Sequence, residues 1–198
     1  MLVWGSVLDA VAADPLPIIA RVEAHYSAVK TLRADFVQTV HSDLYGDDTQ
    51  AGRLAIARPG RMRWDFTGDG RVYLITEDRV SIWTPAEGQL LRYPYTPSGA
   101  DSLLQSLDHV DELFAVSAPA QPTDGGVVLD LTAKAGGGGP SVRLTLGPDL
   151  GLTRISLSDS MGTKTEIVFS HVVAGAPIEP STWTLAVPPD ARIIDGMP

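Results

Sequence analysis

Four histidines, His25, His41, His109 and His171, are the first residues to test for metal binding or proton transfer. None forms a His-x-His or His-x-x-x-His pair, so no metal site is expected and a surface position is the better reading for each. Ser160 and Lys164 stand four apart near a turn, but no Ser-x-x-Lys or Gly-x-Ser-x-Gly arrangement activates a serine. The run Gly136 to Gly139 lacks the Lys-Ser/Thr pair and the following helix of a phosphate loop, and reads as a hairpin linker. Asp47-Asp48 reads as a solvated turn rather than a catalytic pair. There is no cysteine, which excludes a disulfide framework, a thiolate metal site, a cysteine nucleophile and a cysteine-linked lipid anchor in this sequence. The residues predict neither an enzyme nor a cofactor.

What the sequence does offer is a place for apolar matter. Residues 52–66 hold two alternating segments around the corner Arg58-Pro59-Gly60. Leu54 and Ile56 share one face of the first; Met62, Trp64 and Phe66 share one face of the second, with Arg61, Arg63 and Asp65 opposite. A sheet face this apolar must be covered, either by the protein's own core or by a ligand. The residues alone leave both open, with Arg58 at the corner.

Composition narrows the partners. The 198 residues are 44% hydrophobic and 20% charged, a globular balance, with 15 basic against 24 acidic residues and a net charge of -9. That acidity argues against nucleic acid and against passive adhesion to anionic membranes. No apolar run approaches the roughly 18 residues that span a bilayer as a helix. Residues 1–13 are expected to be a disordered start or a signal-peptide remnant, and 14–198 one domain.

These side chains must be positioned mostly by strands. Asp14-Pro15 opens a helix, and Ile18, Ile19, Val22, Tyr26, Val29 and Leu32 carry its apolar stripe to about Leu32. Alternation from Ala34 to Val40 then predicts a strand. Further short strands are expected at 52–57, 61–66, 71–76, 79–84 and 89–95. Ser98 with Asp101 starts a second helix in capping-box style, with Leu103, Leu104, Leu107 and Val110 as its stripe. Strands resume at 113–117, 127–132, 142–146, 152–157, 163–173 and 182–187. Short connections favour antiparallel pairing. The expected fold is mainly β: eleven or twelve strands in one long, strongly bent antiparallel sheet, with two helices across its open side, enclosing either a packed core or a lidded apolar cavity.

The order of four stretches resembles the periplasmic outer-membrane lipoprotein carriers of the LolA type. They are Leu32-Arg33-Ala34-Asp35-Phe36-Val37-Gln38; Gly52-x-Leu54 running into Arg58-Pro59-x-x-x-x-Trp64; Ile75 to Trp83, where Arg79 replaces the usual glycine; and Thr182-Trp183-Thr184-Leu185 before Pro188-Pro189-Asp190. The resemblance implies an unclosed, strongly curved antiparallel β-barrel of about 11 strands with two or three helices, a helical lid over an apolar cavity, in a periplasmic carrier whose concave face accepts the acyl chains of lipoproteins. Donor and acceptor would be an inner-membrane transporter and an outer-membrane receptor, and the carrier a monomer. By motif position Arg58 would be the gate that holds the lid shut. Phe36, Leu54, Ile56, Met62, Trp64, Phe66, Ile75 and Ile82 would be the acyl-chain wall, and Leu103, Leu104 and Leu107 the lid contacts. The alternative on the same fold is a periplasmic lipid or lipoprotein sensor acting on a membrane signalling partner.

Overall fold

Alternation along the chain is realised as one sheet that bends around two helices. A computed structural model of the protein describes residues 15–96, 99–117, 122, 124–134 and 140–196. Helix α1 spans Pro15–Ala28. Twelve strands follow: β1 Thr31–Ser42, β2 Gly46–Ala57, β3 Arg61–Phe66, β4 Val72–Thr76, β5 Arg79–Thr84, β6 Gln89–Pro94, β7 Phe114–Ser117, β8 Val127–Ala133, β9 Ser141–Leu146, β10 Leu152–Ser158, β11 Lys164–Ala174 and β12 Arg192–Asp195. Between β6 and β7 lie helices α2, Gly99–Gln105, and α3, Val110–Leu113.

The spatial order is β12-β6-β5-β4-β3-β2-β1-β11-β10-β9-β8-β7, so the sheet stays open between β12 and β7. Every pairing is antiparallel except β12 with β6. This is the unclosed, curved β architecture that the resemblance implies, with twelve strands and three α-helices among the described residues. Among the described residues no helix is long and apolar enough to cross a membrane.

Residues directly opposite in a ladder share a face. Phe36 faces Gly52 and Phe169; Gly52 faces Phe66; Leu54 faces Trp64; Ile56 faces Met62; and Met62 faces Ile75. Trp64 faces Tyr73, which in turn faces Ile82. The concave face continues through Ile167, Ile155, Leu144 and Leu129. Ile18, Val22 and Tyr26 from α1, and Leu103, Leu104 and Leu107 from α2 and its end, join these residues in one core cluster. The outer face is wet, laced by pairs such as Arg143–Asp130, Arg154–Glu166 and the Arg63–Asp65 fork.

Two details explain why this face closes tightly around Phe36. A Cβ on Gly52 would lie 2.1 Å from the Asp65 carbonyl oxygen and 2.7 Å from the Phe36 ring. Only glycine lets that ring lie across β2, where it meets Trp64 and Phe66 edge-on at 4.9 and 5.3 Å. Tyr26, itself buried, anchors α1 by donating its hydroxyl to the Leu150 carbonyl at 2.9 Å. Tyr26→Phe keeps the ring but orphans that carbonyl. Its expected cost is about 1 to 2 kcal/mol, read as a lower urea midpoint with an unchanged slope.

The structure departs from the sequence reading in several places. Asp47-Asp48 is not a turn: both residues lie in β2, opposite His41 and Val40 of β1. Helix α1 ends at Ala28 rather than near Leu32, because the backbone of Thr31 and Leu32 is taken by the ladder to Ala57 and Ile56. Residues 182–187 are not a strand. A 3-10 turn, Pro180–Trp183, stands there, and the carbonyls of Thr182 and Thr184 accept Arg63 Nη1 at 2.8 and 3.2 Å. The last strand is instead β12, Arg192–Asp195. The 1–13 start, the Asp14 and Ser98 caps and the Gly136–Gly139 linker lie outside the described residues.

Candidate functional site

The β2–β3 corner brings Arg58 against the end of α1. The Arg58–Pro59 peptide is cis and Gly60 follows at φ 76°, a left-handed conformation that glycine adopts freely. Arg58 donates through Nη1 to the carbonyls of Tyr26 and Val29 at 3.1 and 3.3 Å. Those oxygens close α1, where the helix dipole favours a cation. The guanidinium also lies 5.4 Å from the Tyr26 ring centre. Its Nε and Nη2 atoms are buried without a partner among the described residues. Burial pushes the Arg58 pKa down, against the opposing pull of Asp108 and Tyr26.

Helix α2 is fixed to the sheet by polar side chains at both ends. Gln105 accepts from the Gly60 N–H at 3.3 Å and donates to the Arg61 carbonyl at 3.1 Å. Asp101 Oδ2 accepts the Tyr73 hydroxyl at 3.1 Å. Burial drives the Asp101 carboxyl up to about 6, although hydrogen bonds from Tyr73 and the Trp64 indole pull the other way. Burial, with the neighbouring carboxylate, likewise raises Tyr73 far above the ordinary phenol range. Leu103 and Leu104 between these clasps, and Leu107 just beyond them, are fully buried.

A cavity of about 470 Å³ lies beside Asp101 on the concave face. Its apolar lining is Trp64, Phe66, Ile82, Ala100, Leu157 and Ile167; its polar lining is Gln38, Arg71, Tyr73, Thr84, Asp101 and Thr165. Arg71 is committed at the rim: it pairs with Asp69, reaches the Gln50 side-chain oxygen and lies 4.4 Å over the Phe66 ring. A second cleft of about 580 Å³ runs past Arg58, Gly60, Tyr95, Gln105 and His109.

The eight wall candidates named from the sequence therefore share one face but not one environment. Trp64, Phe66 and Ile82 line the 470 Å³ cavity. Phe36, Leu54, Ile56, Met62 and Ile75 are buried in the packed core. Arg58 lies at the other cleft, bonded to α1 rather than to α2. Sequence reasoning missed Tyr73, Asp101 and Gln105. Tyr73 has the same strand parity as Ile75, a signal that could have found it; Asp101 enters the sequence reading only as the capping-box partner of Ser98. Among the described residues no group of His, Cys, Asp and Glu side chains could hold a metal ion.

Residues 27–186 match the family described as outer membrane lipoprotein carrier protein LolA. The chain is similar to an outer-membrane lipoprotein carrier protein of Chromobacterium violaceum, 27% identical over 187 residues covering 90% of this chain and 87% of that protein. A namesake in Pseudomonas fluorescens is 28% identical over 92% of this chain and 89% of its own. Among solved structures, an uncharacterized conserved protein of Thermus thermophilus superposes with a TM-score of 0.56 at 16% identity, covering 91% of this chain and 98% of the other. A LolA superfamily protein from Nitrosomonas europaea gives 0.53 at 11% identity, covering 89% and 99%. These structural matches establish the fold.

Proposed function

The chain belongs to the outer-membrane lipoprotein carrier (LolA) family, and from that membership we propose that it carries acylated lipoproteins across the periplasm, from an inner-membrane donor to an outer-membrane acceptor. Residues 14–198 work as one monomeric carrier domain, acting by binding rather than by catalysis. The observation that carries the reading is the 470 Å³ cavity, largely apolar and roofed at α2. That size falls within the range of small-ligand sites.

The physical demand is severe. Each buried methylene is worth about 0.8 kcal/mol, so one sixteen-carbon chain resists leaving a lipid phase by on the order of 12 kcal/mol. A carrier must offset most of that and still release. A lid that covers the apolar wall when empty meets both needs, because closing competes with cargo. Here α1 and α2 form the lid. Arg58 gates it through the α1 carbonyls, and Leu103, Leu104 and Leu107 pack it against the sheet. Trp64, Phe66 and Ile82 form the first acyl wall. Phe36, Leu54, Ile56, Met62 and Ile75 extend it once the lid lifts.

Trp64 gives a direct test. Titration with a triacylated lipopeptide should change its fluorescence saturably, and Trp64→Phe should remove the largest part of the signal. Absence of any saturable response in the wild type would reject the cavity as the cargo site. Native mass spectrometry of protein purified from its own envelope separates the classes: co-purified acylated protein fits a carrier, and free lipid alone fits a sensor.

A further inference from the structure

The gate and the apolar wall leave one feature without a role: a carboxyl group, Asp101, turned into the cavity from the lid. Its hydrogen-bond donors are on the sheet. Tyr73 stands on β4, flanked on the same face by Trp64 of β3 and Ile82 of β5. All three side chains, with Asp101, line the cavity. The Tyr73 hydroxyl reaches Asp101 Oδ2 at 3.1 Å. The other polar lining groups, Gln38, Thr84, Thr165 and Arg71, are also carried by strands or by the β3–β4 turn. Tyr73 differs from these four in one respect: its acceptor, shared with the Trp64 indole, belongs to the helix that covers the cavity.

We propose that the Tyr73 hydroxyl is a polar anchor for the carbonyl oxygen of an ester- or amide-linked acyl group, and that Asp101 occupies this anchor in the empty protein. The inference rests on the carrier reading. When α2 lifts, Tyr73 stays on the wall and loses its acceptor. A phenol left unpaired among Trp64, Phe66 and Ile82 is costly. An acyl ester or amide brings the missing acceptor in the same step that brings its chain. The displaced Asp101 carboxylate meanwhile gains water, which offsets part of the opening cost. One exchange of acceptors thus couples lid release to the presence of a carbonyl, so the site distinguishes acyl groups from plain alkyl chains.

The test compares matched ligands on the intact protein. One pair is a glyceryl-cysteine lipopeptide with two ester-linked palmitoyl chains and its ether-linked dialkyl counterpart; a second pair is phosphatidylglycerol in ester and ether forms. Wild type should bind the ester about tenfold more tightly than the ether, the worth of one net hydrogen bond in a dry site. Tyr73→Phe should bring the ratio to about one, even if loss of the clasp tightens both ligands. Asp101→Ala should tighten both while keeping the preference. A preference seen only with the lipopeptide pair assigns the anchor to protein-borne lipid, and one seen only with phosphatidylglycerol assigns it to free lipid. Equal wild-type affinity for ester and ether, or a preference that survives Tyr73→Phe, overturns the anchor and leaves the carrier reading intact. Failure of wild type to bind any of the four overturns both.

Discussion

Arg58→Leu is expected to load acyl cargo normally and release it roughly 30-fold more slowly, with fold stability changed by less than about 1 kcal/mol. The two halves of this result have separate causes. In the closed protein Arg58 makes two bonds to the carbonyls that end α1 and lies against the Tyr26 ring. It also leaves Nε and Nη2 buried and unpaired. Charged hydrogen bonds contribute about 1.5 to 3 kcal/mol each, and buried orphan donors cost a comparable amount, so the balance is near zero. Replacing the side chain should hardly move the urea midpoint. The loaded state is different. A guanidinium beside acyl chains is a standing cost, whereas leucine adds about 2 kcal/mol of apolar contact. That energy appears as slower release, measured by stopped-flow transfer of fluorescent lipopeptide to acceptor vesicles. Arg58→Lys keeps the charge and should release close to the wild-type rate. Equal rates for Arg58→Leu and wild type would remove Arg58 from the gate.

The sheet was legible because each strand obeys a local rule. β3 and β5 begin and end where alternation and turn residues put them, at Arg61–Phe66 and Arg79–Thr84. The failures came where long-range contacts overrode local pattern. Thr182 to Val187 alternates well enough to be a strand, yet its carbonyls go to a guanidinium on β3. Leu32 keeps helical spacing with Val29, yet lies in the β1–β2 ladder. The apolar face was legible on the same terms. The parity of Met62, Trp64 and Phe66 set the apolar face, and the proline corner drew attention to Arg58. Whether each wall residue meets a hollow or the core depends on where α2 lies. No periodicity encodes that, and so Trp64 and Met62, two residues apart on one face, have different surroundings. Asp101 was hidden for the same reason: a carboxylate early in a helix ordinarily faces water, and its burial arises only when α2 docks on Tyr73.

On the carrier proposal, that burial should make cargo affinity depend on pH, with a sign fixed by Asp101. In the closed protein desolvation raises its pKa from 3.8 to about 6; in the open protein it returns to the ordinary carboxylate range. The closed state therefore holds the proton more tightly, and lifting the lid releases it. Opening, and with it cargo affinity, should rise as pH climbs from about 4, then level off above the closed-state pKa near 6. A gap of about two units corresponds to roughly 50-fold tighter binding at pH 8 than at pH 4, or about 2 to 3 kcal/mol. The groups around the carboxyl do not blur this. Tyr73 on β4, and Tyr93 and Tyr95 from β6 and just beyond it, couple to the same cluster. Burial lifts Tyr95 to about 12 and Tyr73 higher, so both stay neutral throughout. Trp64 does not titrate, and Arg71 is the one cation among the described lining residues. Asp101→Asn retains the shape and an acceptor for Tyr73 but cannot ionise. Its affinity should be flat with pH and sit near the weak, acidic limit of the wild type. Calorimetric titration with a water-soluble acyl lipopeptide in buffers of different ionisation enthalpy would also count the proton, expected to be released on binding near pH 5. A wild-type profile that is flat, or one matched by Asp101→Asn, would mean that the lid opens without exposing this carboxyl.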